Sequence, residues 1–117
     1  MLVTMASDRS AVRHDPLEVR LLYFEGCPNW EVARDRLRRA LELQGLDQDV
    51  LCVVKVATPE EAEAVGFRGS PTILVDGRDP FGGDTPASGA FACRIYETPA
   101  GRDGAPSVGQ LVAALRR

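Results

Sequence analysis

The stretch that most limits what this chain can fold into is "VRLLYFEGCPNWEVARDRLRRALELQG", residues 19–45, because its hydrophobic period changes partway along. "VRLLYF" (19–24) is an apolar run of strand length. From Pro28 the period becomes helical: Trp30, Ala33, Leu37, Ala40, Leu41 and Gln44 fall near one face, with charges mostly elsewhere. Pro28 suits the first turn of a helix, where its missing N–H costs nothing, and Gly45 suits a left-handed C-cap. Asp35 stands at helical spacing from Arg38 and Arg39 and is expected to pair with them.

The alternation then repeats. "DVLCVVKV" (49–56) reads as a second strand, so nearly continuous in apolar residues that it predicts a sheet covered on both faces. "TPEEAEAVG" (58–66) reads as a short helix, capped by Thr58 and opened by Pro59, with Glu60 and Glu61 at its positive end. Strand, helix, strand, helix implies parallel pairing through a crossover. "FRGSPTILVDG" (67–77) is a third strand and "AFACRIYET" (90–98) a fourth, paired with the third. Between them "RDPFGGDTPASG" (78–89) is an extended loop rich in Gly and Pro, in which Asp79 and Asp84 read as turn formers. "SVGQLVAALRR" (107–117) closes the chain as a helix capped by Ser107, with Leu111, Val112 and Leu115 inward and Arg116 and Arg117 at the negative end.

A chain of 117 residues, 44% apolar, suits one domain. Residues 1–16 read as a flexible N-terminal arm, and 17–117 as the folded unit. His14, alone in the arm, reads as a surface residue. The net charge of −3 comes from interleaved acids and bases, and no basic block marks a nucleic-acid footprint. No apolar stretch is long enough to span a membrane, and "MLVTMASDRSAVRHDP" has no sustained apolar region of the kind a secretory signal carries. The expectation is a cytoplasmic protein, where free thiols are normal. Its cysteines are Cys27, Cys52 and Cys93, so at least one is unpaired within a monomer.

The order β-α-β-α-β-β-α, with Cys27 after the first strand and "RGSPT" before the third, resembles the thioredoxin superfamily over about residues 18–117. The chain is also similar to small actinobacterial thioredoxin-like proteins related to alkylmercury lyases. The resemblance implies a four-stranded mixed sheet flanked by helices. It places Cys27 as the first motif cysteine and Pro71 as a cis proline facing it. It further implies that the backbone of Ser70 offers hydrogen bonds to an extended substrate or to glutathione. One departure bears on chemistry: Trp30 stands where the second cysteine of C-x-x-C would be, so no disulfide can close between positions 27 and 30.

A thiolate is both a nucleophile and a soft-metal ligand. At the amino end of a helix, unpaired N–H groups favour the charged form, and Glu25, two residues earlier, would oppose it if it came close. The functional expectation is an exposed Cys27 acting as the nucleophile of a single-cysteine thiol–disulfide oxidoreductase, with an external thiol such as glutathione resolving the mixed disulfide. Its partner would be a small molecule or protein bearing a thiol or disulfide. The first alternative is a non-enzymatic module binding a protein, a thiol ligand, a soft metal or an organomercurial through Cys27. The second is a structural, redox-dead fold acting through a dimer surface. Trp30 would either wall the binding cleft or pack the first helix down. Cys52 reads as a buried small hydrophobe and Cys93 as a candidate second thiol. No convergent set of metal ligands is legible. Ser70 and Thr72 lack the His partner that a serine-type nucleophile needs.

Overall fold

A computed structural model of the protein describes residues 17–82 and 92–116. The elements run β1 (Val19–Tyr23), α1 (Trp30–Leu43), a 3-10 turn (Gln48–Val50), β2 (Leu51–Lys55), α2 (Pro59–Val65), β3 (Thr72–Val75), β4 (Tyr96–Thr98), β5 (Gly101–Asp103) and α3 (Val108–Leu115). Among the described residues the main sheet has three strands in the order β2-β1-β3. β1 pairs parallel with β2, as the crossover predicts, and antiparallel with β3, with Leu21 opposite Ile73. The result is a mixed α/β fold. Among the described residues no helix is long and apolar enough to cross a membrane.

The period-2 alternation of β1 divides the core. Leu21 and Ile73 face α1 and α3, joining Val19, Ala33, Leu37, Ala40, Leu41, Ala105, Leu111 and Leu115. Leu22 and Leu74 lie in the opposite cluster with Val56, Ala62 and Phe67, beside α2. Helix ends follow local chemistry. Gly45 takes a left-handed conformation after α1, its N–H donates to the Glu42 carbonyl and that of Leu46 donates to the Leu41 carbonyl, which is the Schellman closure. Thr58 Oγ1 accepts from the Glu61 N–H at the start of α2. At the start of α3, Ser107 and Gln110 bond each other's backbone N–H reciprocally.

Several expectations change. The fourth strand over 90–98 does not extend the main sheet within its described part: residues 92–94 form a single parallel bridge to Ser70, and Tyr96–Thr98 pairs with Gly101–Asp103 in a separate hairpin. Among the described residues the sheet is therefore three-stranded, and a fourth strand is not seen to join it. β2 is an edge strand, and Cys52, expected to be buried, is exposed. Val54 and Val56 pack on the α2 side, but the seven-residue helix leaves Cys52 uncovered two residues earlier. Pro28 lies before α1, which begins at Trp30. Asp35 meets Arg34 rather than Arg38 or Arg39, and Arg39 meets Glu42. Residues 1–16, with His14, and residues 83–91, with Asp84, lie outside the described residues, as does Arg117.

Candidate functional site around Cys27, Pro71 and Tyr96

Cys27 follows a tight turn at the end of β1: Gly26 has a positive φ, and the Cys27 N–H donates to the Phe24 carbonyl at 3.3 Å. Asn29, the N-cap of α1, makes no side-chain cap bond. Its amide packs instead on Gly104, where a Cβ would fall 2.3 Å from it. The motif turn is thereby seated against the connection from β5 to α3. Arg36 of α1 holds the same connection, donating to Asp103 Oδ2 at 3.0 Å and to the carbonyls of Ala105 and Pro106.

The thiol is not exposed. Cys27 is only 4% accessible, which corrects the expectation of a sulfur standing open at a helix mouth. The Glu25 carboxylate accepts a hydrogen bond from Lys55 Nζ at 3.0 Å. That contact raises the Lys55 pKa, chiefly through the hydrogen bond. Trp30 stacks on Tyr23, with ring centroids 4.1 Å apart and planes 15° from parallel, and Arg34 lies over its ring. Trp30 therefore packs α1 onto the end of β1.

The Ser70–Pro71 peptide is cis. Tyr96, at the start of β4, donates its hydroxyl hydrogen to the Pro71 carbonyl. Burial pushes the Tyr96 pKa well above the ordinary phenol value; Arg94 opposes this, while Asp79 and Cys27 add to it. Tyr96 thus ties β4 to the Ser70–Pro71 turn through its hydroxyl.

The backbone of Ser70 is already engaged. Its N–H donates to the Ala92 carbonyl at 2.8 Å, and its carbonyl accepts from the Arg94 N–H at 3.0 Å. Gly69 admits this approach: its φ is +104°, and a Cβ there would lie 3.1 Å from Arg94 Cβ and 3.2 Å from the Ala92 carbonyl oxygen. Ser70 Oγ is fully buried and has no hydrogen-bond partner among the described residues. Thr72 Oγ1, by contrast, accepts from the Arg68 N–H at 3.0 Å and donates to the Gly69 carbonyl. Cys93 pairs with Ser70 through the backbone and is exposed; all three cysteines are free thiols.

Of the residues that complete this region, Arg94 and Tyr96 were not singled out in the sequence, and Asp79 only as a turn former. Asp79 forms the turn expected of it, accepting from the Phe81 N–H, but its side chain is also buried between Arg94 and Arg68. Arg94 and Tyr96, two apart on an extended stretch, share one side, so that Arg94 lies 4.7 Å over the Tyr96 ring. That period-2 spacing was the available signal. Among the described residues no group of three or more His, Cys, Asp or Glu is placed to hold a metal ion. No protein-family model, curated protein or solved structure matches the chain.

Proposed function

We propose that the chain is a thioredoxin-like module that does not turn over Cys27 as a redox nucleophile, and that the thiol serves to pack the motif turn. The observation that carries this reading is the burial of Cys27 to 4% accessibility. Reactive cysteines occupy partly exposed surroundings, whereas enclosed ones are inert. Two further facts support it. Trp30 replaces the resolving cysteine, and the Ser70 backbone is spent on residues 92 and 94 of the same chain. The thioredoxin-like assignment draws its support from the β2-β1-β3 order, the parallel and antiparallel pairings, and the position of Cys27 relative to Pro71 in the chain.

A second reading has a specific observation in its favour: Cys27 is a free thiol in the turn that leads from β1 into α1. In it, the chain is a single-cysteine oxidoreductase. The Cys27 thiolate attacks a mixed disulfide, forming one S–S bond and releasing one thiolate. An external thiolate such as glutathione then attacks the new disulfide, frees Cys27 and leaves as a disulfide. This requires residues 92–94 to leave Ser70. Alkylation with iodoacetamide, read by mass for each cysteine, separates the readings. Under the first, Cys52 and Cys93 are modified in the native protein and Cys27 only on unfolding. Modification of native Cys27 at a rate matching Cys52, together with glutathione-dependent turnover lost in Cys27→Ser, would overturn it.

A further inference from the structure

Beside Tyr96 lies a cavity of about 380 Å³ lined by Arg68, Phe81, Arg94, Ile95, Tyr96 and Glu97. Its volume falls in the range of small-molecule sites. Two arginines serve one carboxylate at its wall. Arg94 grips Asp79 with a fork, Nη1 to Oδ2 at 2.6 Å and Nη2 to Oδ1 at 3.3 Å. Arg68 Nη1 stands 3.5 Å from the same Oδ2. The Asp79 side chain is 3% accessible, that of Arg94 12% and that of Arg68 24%. Among the described residues one buried negative charge faces two positive ones, so a unit of positive charge is left over at the wall.

Glu97 is the remaining acid on the lining. Its carboxylate is held by Arg102 at 3.1 Å, and both of these side chains are more than three-quarters exposed. It therefore does little to neutralise the partly buried guanidiniums. Gly82 shows how closely Arg68 is fitted. A Cβ at residue 82 would fall 1.7 Å from Arg68 Nη1 and 3.1 Å from Asp79 Cγ, so any side chain there would displace the guanidinium. Apolar surface completes the cavity: Phe81 meets Tyr96 edge to face at 5.4 Å, and Ile95 is largely exposed.

We propose that this cavity binds the oxyanion group, carboxylate or phosphate, of a small ligand, with Arg68 supplying the donors that Asp79 leaves available and Tyr96, Phe81 and Ile95 receiving the apolar part. Planar guanidinium N–H groups match the geometry of both oxyanions, and partial burial strengthens the contact. The site does not depend on the thiol chemistry of Cys27.

The test is an NMR titration of the arginine side-chain N–H resonances with sodium phosphate and, separately, sodium acetate, at constant ionic strength set with chloride. The expected result is a saturable shift at Arg68 and Arg94 with at least one of the two anions, and the two arms distinguish phosphate from carboxylate. Arg68→Gln keeps the Arg94–Asp79 fork and should weaken binding about tenfold, the loss of one charge-assisted contact. Gly82→Ala should weaken it similarly, and Cys27→Ser should leave it unchanged. Should Arg68→Gln fail to fold, Arg68→Lys preserves the charge, and its loss of the planar fork should weaken binding in the same direction. Shifts that never saturate with either anion, or arginine variants that bind like the parent, would overturn the proposal.

Discussion

Replacing Ser70 by alanine should stabilise the protein. The Ser70 side chain is fully buried and its Oγ has no partner among the described residues, while its backbone N–H and carbonyl are bonded to residues 92 and 94 whatever the side chain. Burying a hydroxyl without a hydrogen bond costs about 1–3 kcal/mol, and alanine removes that cost. The loss of one oxygen leaves a small void, an opposing term of up to about 1 kcal/mol. The expected net gain is therefore about 1 kcal/mol. It should appear as a rise of about 4 °C or more in the melting midpoint, and as a higher urea midpoint at unchanged slope, since the surface exposed on unfolding hardly changes. The measurement is urea unfolding followed by far-UV circular dichroism on the parent and Ser70→Ala. A loss of 1 kcal/mol or more would show that the hydroxyl is satisfied in solution, and the account of the Ser70 environment would fail with it.

Two further outcomes test the surroundings of Tyr96. Asp79→Asn should cost about 3 kcal/mol, because it leaves the partly buried Arg94 and Arg68 without their shared carboxylate; adding Arg94→Met should recover part of the loss in a double-mutant cycle, and a cost below about 1 kcal/mol for the single change would contradict the buried network. Because burial raises the Tyr96 pKa, its contribution to stability is fully present below the ordinary phenol pKa of about 10 and is lost as pH rises through the folded value. In phenolate absorbance at 295 nm the Tyr96 step, identified by its absence in Tyr96→Phe, should therefore coincide with loss of the folded dichroism signal. Ionisation near pH 10 with the fold intact would refute this.

The chain itself determined those features whose causes lie within a few residues. The apolar run of β1, the helical stripe of Ala33, Leu37, Ala40 and Leu41, the Thr58 and Ser107 caps and the Gly45 stop all appear where the local pattern puts them. Parallel pairing of β1 with β2 follows from the crossover between them. Accessibility is another matter, because it depends on which element comes to lie above a residue. An apolar context suggested cover for Cys52, yet β2 lies at the sheet edge beyond the reach of α2, and the sulfur of Cys27 is enclosed. Nor could local pattern place Asp79 with Arg94, Arg36 with Asp103, or Tyr96 with Pro71, since those partners are 15, 67 and 25 residues apart. The Asp79 and Tyr96 pairs are selected by desolvation in the assembled fold, where an unpaired buried group is costly, and the more exposed Arg36–Asp103 pair by the approach of α1 to the β5–α3 connection, so the tertiary structure alone decided them.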